Sequence, residues 1–216
     1  MLNFINYLFS IYFNFRYLPF EQACHLPILV NIFCMGRCKI RKGQLMLSEC
    51  GRGIIRLGVG KSPGMHAFKT RILLGKDSKL VFRGHAVIAQ GTVIRCDNGA
   101  TISFGDNFYC NCNCYFRSTK SITFGNDCLI GWNVVMNTSD GHKVWHDGEE
   151  VQKEGSITIG NHVWMTANCN LLKNVVVPND SIIANNALVN KSFTQSHCLI
   201  GGLPARIIKT NIDWQA

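Results

Sequence analysis

The sequence predicts an all-β fold: a parallel β-helix whose short strands stack as the coils of a triangular prism. Three observations carry that prediction. Apolar residues recur every six positions, at Ile159, Met165, Leu171, Val177, Ile183 and Val189. The fifth position of the same hexads is always small or β-branched: Val163, Cys169, Val175, Ser181 and Ala187. Gly followed by Asn, Asp or Lys recurs at the second and third positions, as in Gly105-Asp106, Gly125-Asn126 and Gly160-Asn161. These residue types tolerate tight turns and left-handed backbone angles. Each hexad therefore reads as one strand and a corner, and three hexads, about eighteen residues, make one coil. A helix would carry a propensity penalty at every Gly-Asn pair. An antiparallel sandwich would alternate with period two and hold no six-residue phase.

Along the chain, residues 1–35 show no beat. The opening MLNFINYLFSIYFNFRYLPF is rich in aromatics but interrupted by Asn3, Asn6, Asn14 and Arg16. No run there is long enough to cross a membrane. Two readings stay open for it: an element that caps an open end of the prism, or a peripheral membrane contact through residues 1–20. The prism is expected over 36–201. Loose copies begin at Leu74, Ile88 and Ile94, and clear ones at Phe104, Cys110, Phe124 and Ile130. The frame breaks at a loop over 61–70, at a short link over 117–121, and most of all over 137–156. That last segment, NTSDGHKVWHDGEEVQKEGS, is polar and flanked by good hexads, so it projects from a rigid wall, where functional residues concentrate. A tail, 202–216, follows.

Composition excludes several classes. With 47% hydrophobic and 16% charged residues in 216, the chain is not disordered. A net charge of +9 favours anionic partners. With no Lys/Arg block and no RNA-binding or zinc-finger motif, nucleic acid is not expected. Eleven cysteines with no cleavable leader in the first residues imply reduced thiols in a cytoplasmic protein. Cys128 and Cys169 fall at inward positions, where cysteine serves as a small hydrophobe. Cys110, Cys112 and Cys114 follow the strand period rather than paired zinc spacing, so core packing is expected there and no metal. Parallel crossovers are right-handed in about 98% of cases, so physics alone favours right-handed coils.

The motifs DGHKVW, ITIGNHVWMTAN and GGLPARIIK, in that order, resemble the hexapeptide-repeat acyltransferases, with a layout like that of the galactoside, maltose and capsular or lipopolysaccharide O-acetyltransferases. The resemblance spans roughly residues 70–210. It implies a left-handed parallel β-helix, overriding the handedness argument above. It also implies a homotrimer with acetyl-CoA as co-substrate in the groove between neighbouring prisms. The chain departs from the family where Thr166 and Ala184 replace a usual Gly, and in its CNCNC run.

His142 is the candidate general base: a neutral imidazole suits proton removal from an attacking hydroxyl, and in the resembled enzymes the catalytic His stands at this place. His146 is a second candidate. Asp140, two residues earlier, either orients that ring or caps the turn with Gly141. The resemblance places Trp164 along the acetyl and pantetheine channel, and Asn111 at the acceptor, where an ordinary corner amide is the alternative. It gives Ala167 and Asn185 main-chain contacts to the coenzyme. Lys191, Arg206 and Lys209 match basic positions that would meet its phosphates.

The leading expectation is an acetyl-CoA-dependent O-acetyltransferase acting on a sugar hydroxyl of a cell-envelope polysaccharide or its precursor. The expected location is the cytoplasm, at or near the inner face of the membrane. The alternatives are a zinc hydratase of the γ-carbonic anhydrase type, drawing on His85, His142, His146 and His162, and a non-catalytic trimeric scaffold.

Overall fold

A computed structural model describes residues 4–59 and 68–215. Residues 1–3, most of the loop expected over 61–70, and residue 216 of the tail lie outside the described residues. Among those described, three sheets of nine, six and six strands form the walls of a prism. Successive hexads take successive walls. On the first wall Val30, Leu57, Ile88, Cys110, Ile130, Met165, Ile183 and Ile200 stack in register. On the second, Ile72, Ile94, Phe116, Met136, Leu171 and Val189 do the same. The third carries Leu47, Phe82, Phe104, Phe124, Ile159 and Val177. All but Leu47 are buried. The six-residue apolar beat is thus the condition for one unbroken column of side chains per wall. Midway along, Phe104 stacks on Phe82 and Phe124, with centroids 5.2 and 5.4 Å away.

The helix is left-handed, as the resemblance implied, and not right-handed. The crossover rule rests on a twisted strand feeding a helix that packs back on its sheet. Here no helix intervenes between coils, and strands of two to four residues, the last two of the first wall apart, carry little twist.

The corners correct one expectation. The left-handed backbone angle falls on the fourth hexad position, at Asn107, Asp127, Asn133, His162, Asn168, Asn174, Asp180 and Asn186, with φ between 53° and 62°. Glycine at the second position answers a different need. A Cβ on Gly105 would lie 2.2 Å from the carbonyl oxygen of Gly125 in the next coil. The third position satisfies the corner's own N–H groups. Asp106 accepts from the N–H of His85 (2.7 Å), Asn126 from Asp106 (2.9 Å), Asn161 from Asn126 (2.9 Å) and Asn179 from Asn161 (2.8 Å).

The cysteines follow the columns. Cys110, Cys112, Cys114, Cys128 and Cys169 are buried, and the Cys114 thiol donates to the carbonyl of Gly131 at 3.1 Å. Burial pushes the Cys128 thiol up to about 12, which makes it a packing group and not a nucleophile.

The opening segment is helical: α1 (Phe4–Tyr17) and α2 (Phe20–Cys24). Pro19 separates them, because a residue before proline avoids the helical region. Asn6, Ser10 and Asn14 recur every four positions and so share one face of α1. That face closes the prism's first edge. Strand Ile28–Val30 has a strand neighbour on one side only. On its other side Asn14 accepts from Ile28 N–H (3.1 Å) and donates to its carbonyl (2.7 Å), Ser10 accepts from Val30 N–H (2.9 Å), and Asn6 accepts from Ile32 N–H (3.0 Å). The side chains replace the ladder an absent coil would supply. At the far end, Ala205–Thr210 turns back antiparallel on Cys198–Gly202 and closes the first wall, so the boundary expected at 201 falls inside a strand.

Candidate active site

The break over 137–156 is a β-hairpin standing off the corner between the second and third walls. It leaves strand Val135–Asn137 and returns at Ile157. Its arms, Val144–His146 and Glu149–Val151, pair antiparallel around Asp147-Gly148. Both turn residues have positive φ (51° and 83°), the type I′ geometry that Asp-Gly favours. The base is held firmly. Gly155 N–H donates to the Thr138 carbonyl at 2.9 Å and Asp140 N–H to that of Lys153 at 3.1 Å. Buried Thr138 accepts from Thr119 N–H at 2.7 Å. Lys173, from the next coil at the same corner, binds both the Asp140 carboxylate and the Gln152 carbonyl.

His142 stands just past the Gly141 turn, exposed to solvent. Asp140 neither orients it nor caps the turn. Its carboxylate goes to Lys173, and Ser139 Oγ accepts from Gly141 N–H at 3.1 Å. His146 lies at the hairpin tip, 3.2 Å from the Asp147 carboxylate.

A second group of sequence-predicted residues, Asn111, Ala167 and Asn185, gathers on a different corner, between the first and second walls, with Trp164 on the first wall, its ring 5.9 Å from that of Trp214. Trp164 points outward from the first wall, in register with Leu129 below and Ile182 above. Ala167 and Asn185 follow at the third hexad position, one coil apart, and the Asn186 N–H donates to the Ala167 carbonyl at 3.2 Å. Asn111 lies lower on that corner, its amide donating to the Ile130 carbonyl at 3.1 Å. Thr166 Oγ donates to the Ile183 carbonyl at 2.8 Å, so the absent glycine leaves the backbone path closed and satisfied. Arg206 and Lys209 share the terminal strand of the first wall, paired with Gly201 and Leu199. Lys191 is not with them: it follows the second wall, its ammonium 5.7 Å from the Phe193 ring.

Several residues on the prism's corners escaped the sequence reading. Trp132, half-exposed, sits between the Asn111 and Ala167 coils. Trp214 of the tail folds back and stacks flat on His162 (4.3 Å, 9°), donating to its carbonyl at 3.0 Å. No periodicity could have signalled it, because the tail lies outside the repeat. A concavity of about 640 Å³ beside it is lined by Asn107, Tyr109, Asp127, Leu129 and His162, of which only His162 was considered from the sequence, as a zinc ligand. Another, about 590 Å³, lies on the second wall beside the Asn111 corner and is lined by Phe68, Lys69, Arg71, Asn113 and Tyr115. On the same wall Asp97 bridges Arg95 (2.9 Å) and Arg117 (3.1 Å). Burial works against the ionised carboxylate, but the bonds from the two guanidiniums outweigh it and hold Asp97 below its ordinary range.

The histidines considered for a zinc hydratase are separated. His85 and His162 occupy the corner between the third and first walls, paired with Asp106 (3.2 Å) and Asp180 (3.0 Å). His142 and His146 are on the hairpin.

No family model matches the chain. Over 146 residues it is 31% identical to the polysialic acid O-acetyltransferase of Escherichia coli O1:K1, covering 66% of this chain and 44% of that protein. Over 116 residues it is 32% identical to the galactoside O-acetyltransferase of Escherichia coli K12, covering 51% and 55%. The chain thus spans about half the length of the curated relatives it matches. In structure it is similar to the polySia-specific acetyltransferase NeuO, with a TM-score of 0.63 at 21% identity over 88% of this chain and 72% of that one. It is similar too to galactoside acetyltransferase in complex with coenzyme A, with a TM-score of 0.51 at 27% identity over 66% and 64%. The fold is that of these acetyltransferases, and the resemblance read from the three motifs holds.

Proposed function

We propose that the protein is an acetyl-CoA-dependent O-acetyltransferase with His142 as general base. The observation that carries this reading is the division of the site residues between corners. The hairpin with His142 leaves one corner of the prism, while Ala167 and Asn185 lie on another, with Trp164 on the first wall that leads to it. A homotrimer of parallel prisms brings one copy's hairpin to its neighbour's corner, so each site is completed by two copies.

In this reading the pantetheine arm lies along the Ala167 and Asn185 corner, bonded through main-chain groups, with Trp164 against the acetyl end. Arg206 and Lys209 meet the phosphates. His142 takes the proton of an acceptor hydroxyl as its oxygen bonds to the thioester carbon. Backbone N–H groups steady the tetrahedral oxyanion. The C–S bond then breaks, the thiolate recovers the proton from the imidazolium, and the products are the acetyl ester and free CoA. Lys173, by holding Asp140, braces the base of the hairpin and so positions His142. The acceptor is a sugar of a cell-envelope polysaccharide or its precursor. The concavity on the second wall suits it, with Phe68 and Tyr115 as ring-stacking surfaces beside Asn111. The work is done in the cytoplasm, at the inner face of the membrane where such precursors are assembled.

The test is acetyl-CoA consumption, read as free thiol, across sugars, nucleotide sugars and lipid-linked glycans. Release that depends on one acceptor class and falls about 10²- to 10⁴-fold in His142→Ala, with CoA binding and oligomer mass retained, is expected. No acceptor-dependent release, together with no thermal shift on adding CoA, would sink the reading.

A further inference from the structure

The N-terminal helix buries its polar residues together with Phe13 and leaves a separate apolar face outward. Its polar residues, Asn6, Ser10 and Asn14, are buried against the prism, while Ile5, Leu8, Tyr12 and Phe15 project into solvent along one stripe at helical spacing. Phe4 and Phe20, 74% and 70% exposed, extend the stripe at its two ends, and Phe33 (54%) lies beside it. The cap explains the polar face completely. It leaves the apolar face with no role in the fold.

We infer that this face binds the surface of an anionic lipid bilayer, with α1 lying in the plane of the interface. Charge selects that occupant. Arg52 lies against Tyr7, 3.1 Å from its hydroxyl and 5.5 Å from its ring centre. Arg16 sits 5.9 Å from the Tyr17 ring, and the Lys69 ammonium meets the Phe33 carbonyl. Residues 4–59, which build this end of the prism, contain seven Lys and Arg against two Glu. An apolar stripe of aromatic and aliphatic side chains rimmed by cations is the composition that lies on acidic membranes. Two copies meeting through the same face would set those cations against one another, which disfavours a second copy as the occupant. Among the described residues no helix is long and apolar enough to cross a membrane, so the contact is interfacial.

Vesicle flotation of the full chain tests this without acetyl-CoA or acceptor, so the membrane proposal and the transferase reading fail independently. Phosphatidylcholine vesicles are compared with vesicles carrying about 30% phosphatidylglycerol. At least a roughly ten-fold greater bound fraction on the anionic vesicles is expected, weakening with salt. Leu8→Glu/Phe15→Glu should lose most of it while melting at the wild-type temperature. Ile5→Gln/Tyr12→Gln, which adds no charge, serves if the first variant fails to fold. The proposal is overturned if wild type floats with neither vesicle or equally with both, if the folded variants float as well as wild type, or if those substitutions lower the particle mass in light scattering, which would make the face an interface between copies.

Discussion

Replacing Asn14 by alanine should loosen the closed end of the prism by an amount the structure sets. The side chain is fully buried and makes three bonds: from Ile28 N–H at 3.1 Å, to the Ile28 carbonyl at 2.7 Å and to the Ser10 carbonyl at 2.7 Å. Truncation leaves the N–H and carbonyl of Ile28 on the side of the strand that has no neighbouring strand. A buried backbone group without a partner costs about 1–3 kcal/mol, so two such groups come to about 3–4 kcal/mol once a partial relaxation is allowed. For a chain of this size that corresponds to a melting shift of roughly 6–16 °C. Ser10→Ala strands the Val30 N–H and gives up a longer, 3.5 Å contact to the Val30 carbonyl, and should cost about 1–2 kcal/mol. Thermal denaturation gives the global change. Hydrogen exchange at the Ile28 and Val30 amides shows whether it is local to the cap. The reasoning is wrong if Asn14→Ala melts within about 1 °C of wild type with those amides still protected, or if Ser10→Ala is the more damaging of the two.

Other consequences are open to measurement. Lys173→Ala should lower kcat for acetyl transfer about ten-fold through a looser hairpin while the KM for acetyl-CoA stays within about two-fold, as steady-state kinetics will show. Gly125→Ala places a Cβ 2.5 Å from Asn161 Oδ1 and 2.6 Å from the Gly160 carbonyl, and should destabilise by about 1–3 kcal/mol in chemical denaturation. Asp97 has a folded pKa below its unfolded one of about 3.9. Its stabilisation is therefore complete above about pH 4 and is lost as pH falls through the folded value. Asp97→Asn should flatten the melting-temperature profile below about pH 4 relative to wild type.

The walls were legible because they are periodic. Ile159, Met165 and Leu171 each announce a different wall, and any sequence that keeps a bulky residue at every sixth place can form the same columns. The corners were half-legible. Glycine and asparagine marked them, but only the stacked coils separate the second position, where a neighbouring backbone leaves no room for a Cβ, from the fourth, where φ is positive. At the candidate site, Asn111, Ala167 and Asn185 share a corner because their hexads share a phase. The partner of Asp140 was not legible: Lys173 lies 33 residues away and reaches it only because the coils stack.

What the sequence determined by itself is therefore the prism and the place where it is interrupted, since both follow from a short-range repeat and its failure. The tertiary structure alone decided the roles of the residues outside the beat. Asn6 and Asn14 read as flaws in an apolar run, and Ser10 goes unnoticed, until the unpaired edge of strand Ile28–Val30 appears beside them. Trp214 reads as part of a loose tail until it stacks on His162. Such roles depend on which groups are left unsatisfied or uncovered once the coils have stacked, and that is a property of the assembled surface that no local pattern encodes.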